Sequence, residues 1–166
     1  ASDAELDGVP ADVKQAARDA AQAEGKAGHK LTLKLPSYLP VMQFATSSAL
    51  RERLYRAYVT RASDQAQGDA DQDLQRFDNT AIIDALLAKR REEAQLLGYS
   101  NYAQVSLVPK MAESPEQVMA FLRELATKAK PYAERDAADL RSFAKEQLAL
   151  AEPQPWDWSY IGEQLK

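Results

Sequence analysis

Leu31-Thr-Leu-Lys-Leu-Pro-Ser-Tyr-Leu-Pro-Val-Met-Gln-Phe44 is the stretch on which the fold turns, because an extended reading and a helical reading meet inside it. Leu31, Leu33 and Leu35 alternate with Thr32 and Lys34, the period of two that a half-buried strand shows. The spacing predicts one short β-strand near residues 30–35, reaching back to 29 and ended by Pro36. Ser37 then serves as N-cap of a short helix from Tyr38 to about Thr46, with Pro40 in its first turn. A lone strand cannot satisfy its own backbone groups. Nothing else in the chain makes a convincing second strand, so a missing partner is expected.

Outward from this stretch the pattern is helical. Ser47 or Ser48 can cap a helix running to about Ala62, with Leu50, Leu54, Ala57 and Tyr58 on one face and Arg51, Glu52, Arg53 and Arg56 largely elsewhere. Residues 64–78 read as an acidic loop. Asp78 or Asn79 caps a helix to Leu97, where Ile82, Ile83, Leu86, Leu87, Arg90, Ala94 and Leu97 fall three and four apart. Gly98 ends it. Tyr99 to Lys110 is a shorter helical segment, so that helices fill 37–110.

Ser114-Pro115-Glu116-Gln117 is a full helix start: cap, proline at the first position, and Gln where a capping box needs it. The pattern continues to Leu148. Val118, Leu122, Leu125, Ala129 and Tyr132 form one half of the row, and Ala133, Ala137, Leu140, Ala144 and Leu148 the other. Pro131 is expected to kink this 114–148 helix or split it in two. After Pro153-Gln-Pro155, residues 156–166 read as a new helix cut short. Upstream, residues 1–9 are polar, acidic and expected to fray. Residues 10–25 form a helix with Pro10 in its first turn and Gly25 as its stop. It has little large apolar content beyond Val13 and should pack weakly. The fold class is mainly α, a single framework of amphipathic helices over 1–166 with one short strand.

A chain of 166 residues, 45% hydrophobic and 28% charged, belongs with globular rather than disordered sequences. Its net charge of −4 argues against nucleic acid as main partner, since phosphate binding calls for a basic face. Without cysteine there is no disulfide framework and no thiolate nucleophile. No stretch reaches the ~20 apolar residues of a membrane helix. Neither is there a basic region followed by an apolar run at the start. A cytoplasmic location is expected. The chain opens with Ala1-Ser2 rather than Met, which leads to the expectation that it is processed or cut from something longer.

Chemistry is hard to find. His29 is the only histidine, and as a lone loop residue it is expected to be exposed and inert. A catalytic zinc site takes three protein ligands, often two from a His-Glu-x-x-His helix, and no such motif occurs. A Ser-His-Asp triad could form only through His29, and no Gly-x-Ser-x-Gly elbow accompanies it. Asp69, Asp71 and Asp73 alternate as at the start of a calcium loop. The sixth position is not Gly, however, and the twelfth is Thr80 rather than Glu, so a solvated acidic loop is the simpler reading. Tyr38, Tyr55 and Tyr58 could line a pocket, though packing explains them as well. The residues alone name no catalytic or metal-binding group, and substrate-binding residues stay unknown.

The quoted segments do resemble a known family. Leu31-Thr-Leu-x-Leu-Pro-Ser-Tyr-Leu-Pro-Val-Met42, Leu50-Arg-Glu-x-Leu-Tyr-Arg-Ala-Tyr58 and Thr60-Arg-Ala-Ser-Asp64 carry the first part of the match. Phe77-Asp-Asn79, Ala94-Gln-Leu-Leu-Gly-Tyr99, Asn101-Tyr-Ala103, Lys110-Met-Ala-Glu113 and Pro155-Trp-Asp157 carry the rest. In this order they resemble the oligopeptidase A branch of the thimet oligopeptidase family, zinc-dependent metallopeptidases that cut short peptides. The likeness covers roughly residues 25–166. His29, where an aromatic is expected, and the Asp-rich 69–73 loop depart from it.

The resemblance implies an internal, non-catalytic piece of a longer enzyme, supplying framework helices and a strand beside a peptide-admitting channel. Zinc would belong to the parent and polarise the scissile carbonyl. The His-Glu-x-x-His helix and third zinc-binding carboxylate would lie beyond Lys166, so no cofactor is expected here. The chain alone should be inactive and could self-associate through faces that the parent covers. The alternative is a stand-alone helical interaction module whose 114–148 row docks a partner helix.

Overall fold

The computed structural model describes residues 1–66 and 74–166. Its helices are α1 (Ala11–Gln22), α2 (Leu35–Phe44), α3 (Ser48–Val59), α4 (Thr80–Leu96), α5 (Tyr102–Leu107), α6 (Pro115–Gln147) and α7 (Trp158–Gln164). Single 3-10 turns occupy Ala4–Leu6 and Gln75–Phe77. The chain divides into two compact units. The first unites Ala1–Arg61 with Ala137–Lys166, and the second takes most of the stretch between, up to Asp136.

Local chemistry sets several helix ends. Ser47 Oγ accepts the Leu50 N–H at 3.2 Å and starts α3. Asn101 Oδ1 accepts from Gln104 N–H at 3.2 Å at the head of α5. Ser114 Oγ accepts from Gln117 N–H at 3.1 Å, while Gln117 Oε1 reaches back to the Glu113 N–H at 2.8 Å, the reciprocal start that the sequence announces for α6. Asp78, not Asn79, supplies the side-chain acceptor before α4: its carboxylate takes the Thr80 N–H at 2.9 Å and hydroxyl at 2.7 Å. Those two bonds hold its pKa below the ordinary carboxylate value. Gly98 closes α4 at φ +80°, with Tyr99 N–H donating to the Ala94 carbonyl at 2.8 Å and Gly98 N–H to that of Gln95 at 3.1 Å.

The strand expected near residues 30–35 is absent, and among the described residues no other strand occurs. Leu31 and Leu33 do turn inward, packed at the edge of the first unit's core. The backbone of this segment, however, finds its partners in turns and helices instead of a ladder. Lys30 N–H donates to the Ala17 carbonyl of α1 at 2.8 Å, and Thr32 N–H to Ser37 Oγ at 2.9 Å. Ser37 is therefore not an N-cap. The helix begins earlier, at Leu35, with Lys34 in the cap position and Pro36 in the first turn, so Pro40 lies inside α2. Leu31 and Leu33 form the half-buried edge of an irregular connection, while Leu35, the first residue of α2, is exposed.

Two further expectations change, the second in part. Residues 1–9 are not frayed: Leu6 and Val9 are buried, and Thr46 N–H donates to the Asp7 carbonyl at 3.0 Å. α1 buries only Ala17 and Ala21, its small face. Of the kink and the split expected at Pro131, the split does not occur, since α6 runs 33 residues through it. A proline cancels one backbone bond, here the one owed to Thr127, while the turns on either side keep theirs.

The first unit has a core of Leu6, Val9, Val41, Met42, Ala45, Leu50 and Leu54, with Tyr38, Tyr55 and Trp156 packed around it. Ile161 of α7 is also fully buried. The second unit is different. Among its described residues only Ala94 is buried, and Arg90 of α4 lies over the Tyr102 ring of α5 at 4.8 Å.

A buried arginine–aspartate cluster as the candidate functional site

The most organised polar group in the first unit joins α3 to the start of α7. Arg51 faces into the protein rather than out with its charged neighbours, and its residue is 1% exposed. Its Nη2 donates to Asp157 Oδ1 at 2.6 Å across 106 residues of sequence. Its Nη1 donates to the carbonyls of Ala45 at 2.5 Å and Thr46 at 3.3 Å, where α2 ends. The guanidinium also lies 4.2 Å from the centre of the Tyr160 ring. Arg is suited to this position because its planar fork can satisfy several acceptors at once.

Asp157 is equally engaged. Besides Arg51, Oδ1 accepts the Ser48 hydroxyl at 3.2 Å, and Oδ2 accepts the Gln154 N–H at 2.9 Å. Trp156 Nε1 donates to Ser48 Oγ at 3.2 Å. Both oxygens of the carboxylate and both terminal nitrogens of the guanidinium are engaged within the cluster. The cluster is a clamp: it binds the returning C-terminal segment to the α2–α3 corner. Charges this deep persist only when paired and hydrogen-bonded.

Beside the clamp is an aromatic surface. Tyr38 stacks on Tyr58 with ring centres 4.3 Å apart, Arg61 caps Tyr58 at 4.1 Å, and Arg56 lies 5.1 Å from the Trp156 ring. Tyr55 meets Trp156 at 6.1 Å. All three tyrosines singled out in the sequence thus belong to this wall. Burial, and then the neighbouring Tyr58 and Tyr55, push the Tyr38 hydroxyl above its ordinary pKa, so it stays protonated at neutral pH.

His29 is not an exposed loop residue. It is 6% exposed, with Nδ1 3.3 Å from the Ala1 carbonyl and Nε2 3.5 Å from Asp3 Oδ1. The irregular 26–34 connection folds back over the N-terminal turn, and the imidazole packs where the two cross. One carboxylate beside one imidazole is no metal site. Among the described residues no three of His, Cys, Asp and Glu converge in a way that could hold a metal ion. Zinc therefore does not fit this chain's described side chains. Asp69, Asp71 and Asp73, the calcium-loop pattern, lie outside the described residues. No described helix is long and apolar enough to cross a membrane.

The pairing of Arg51 with Asp157 was not legible in the sequence. Both residues sit in segments that carry the family likeness, yet nothing local links an arginine on an amphipathic helix to an aspartate after a Pro-Gln-Pro break.

Comparison with known proteins adds an independent line. The profile of peptidase family M3 matches residues 41–166. Oligopeptidase A of Salmonella typhimurium is 48% identical over 164 residues, 99% of this chain and 23% of that protein. Oligopeptidase A of Haemophilus influenzae is 41% identical over 165 residues, 99% of this chain and 24% of that protein. A probable cytosolic oligopeptidase A of Arabidopsis thaliana is 46% identical over 138 residues, 82% of this chain and 18% of that protein. The chain spans about a quarter of the length of the bacterial relatives it matches.

Proposed function

The chain belongs to peptidase family M3, and from that premise we propose that it is a non-catalytic framework and channel-wall segment of a cytoplasmic, zinc-dependent metallo-oligopeptidase that hydrolyses short peptides. The observation that carries this reading is the likeness to oligopeptidase A, which runs over 99% of this chain but only 23% of the relative. The clamp and the aromatic wall support it from the other side, since their polar groups are committed to packing and to one another. The catalytic metal and its ligands would come from other parts of a longer polypeptide, while this segment supplies rigid helices.

The test is to read the source gene past the codon for Lys166 and to assay the whole product. An in-frame His-Glu-x-x-His, with cleavage of a quenched short peptide that a chelator abolishes, is the expected result. The 166-residue chain assayed alongside should be silent. A stop codon after Lys166, or chelator-sensitive cleavage by the 166-residue chain itself, would overturn the proposal. The second reading, a stand-alone interaction module, draws on one feature: in the apolar row of α6, Leu122, Leu125 and Tyr132 are exposed.

A further inference from the structure

Along α6, Val118, Leu122, Leu125 and Tyr132 recur at intervals of four, three and seven residues, the spacing of one helical face. In the structure Leu122 is 49% exposed and Tyr132 62%. On α4, Ile83 and Leu87 stand four apart and are likewise exposed. Residues 115–136 would extend about 33 Å as helix, long enough for a row that meets a large surface. Soluble proteins seldom leave apolar faces of that length in water unless something covers them.

We infer that these two rows are the seam on which the remainder of the enzyme packs, the occupant being the part of the same polypeptide that lies outside the matched quarter. This rests on the proposed membership of a longer peptidase. Length is the first argument: the bacterial relatives are matched over the whole of this chain, α4 and α6 included, and carry about three quarters of their own length beyond it. Charge is the second. Over 115–136 the acids Glu116, Glu124, Glu134 and Asp136 balance Arg123, Lys128, Lys130 and Arg135. Four of them form two pairs within the helix, Lys128 with Glu124 at 2.5 Å and Lys130 with Glu134 at 3.6 Å. A face neutralised in this way has no field to draw an anionic lipid or nucleic acid. Its recognition is left to the apolar row, which suits a helix of like character.

The experiment is residue-level carbene footprinting of the full-length enzyme, native against denatured, across a dilution series. Leu122, Leu125, Tyr132 and Leu87 are expected to be protected about tenfold at every dilution, as strongly as Leu50 of the first unit's core. Labelling within about twofold of the denatured enzyme, in a preparation that cleaves peptide, would overturn the seam while leaving the proposed function intact. Protection that fades on dilution would assign the face to a second copy and overturn it too. Equal protection in the isolated 166-residue chain would mean that the chain covers its own row, and the seam would fall with it. Loss of chelator-sensitive cleavage from the full-length product would instead count against the proposed function, whatever the footprint.

Discussion

The two units of this chain are built from similar amphipathic helices and treat their apolar residues in opposite ways. Between them, Ala1–Arg61 and Ala137–Lys166 bury Leu6, Val41, Leu50 and Ile161 almost completely. In the second unit Ala94 alone is buried among the described residues, while Ile82, Leu96, Phe121 and Leu125 remain more than half exposed. The difference lies in what surrounds each helix. α2 has α1, α3 and α7 against it, with the Arg51–Asp157 clamp drawing the end of the chain back to its start. In the second unit the principal packing is the short α5 on α4. An apolar stripe is thus a property of a helix, whereas a core needs several stripes brought face to face.

The sharpest way to break this contrast is Asp157→Ala, which leaves the Arg51 charge buried without its carboxylate. Such a loss costs about 3–5 kcal/mol, and denaturant unfolding of the chain should show it in the first unit. A cost no larger than that of removing Glu124, whose partner Lys128 is exposed, would dissolve the contrast. Next comes Leu50→Ala, expected to cost about 2–5 kcal/mol through its cavity. Leu122→Ala in the same chain should change stability by no more than about 0.5 kcal/mol, because that side chain faces solvent.

A backbone pair sharpens the comparison at smaller scale. Gly8 and Gly98 have φ of +83° and +80°, so alanine is strained at both. A Cβ on Gly8 would also meet the Phe44 carbonyl oxygen at 2.2 Å, whereas on Gly98 it would meet nothing within 4 Å. Gly98→Ala should therefore cost only the left-handed penalty of about 1–2 kcal/mol, and Gly8→Ala clearly more. Equal losses in paired thermal melts would show that the N-terminal turn is not docked as described.

The smallest effect concerns acid. Hydrogen bonds from the Ser2 N–H and hydroxyl, with help from Arg53, hold the Glu5 carboxyl below its ordinary value of 4.5. A carboxyl depressed on folding contributes stability that is full above the ordinary value and is lost as the pH falls through the folded one. The melting-temperature gap between the natural chain and Glu5→Gln should close as the pH falls through that window. A gap independent of pH would refute the role given to these bonds.

The features read correctly from sequence share a short range. Ser47 and Ser114 cap helices because their acceptors and the N–H groups they satisfy are three residues apart. Gly98 ends α4 because only a residue tolerant of positive φ can turn there. The misread features each depend on distant partners. Leu31 to Leu35 alternates like a strand, but among the described residues no strand lies beside it, and the Thr32 N–H goes to Ser37 and the preceding Lys30 N–H to Ala17. His29 looks like a loop residue until the N-terminal turn covers it. The candidate site was half legible: the three tyrosines were identified, while the arginine and aspartate at its centre were not.

The sequence by itself therefore determined most of the helices, the caps at Ser47 and Ser114, the stop at Gly98 and the family, because these depend on neighbours along the chain and on order along it. Tertiary structure alone decided which apolar faces became core and which charge went inside. Burial of Arg51 is tolerable only with the Asp157 carboxylate at 2.6 Å, and no local rule joins residues 106 positions apart.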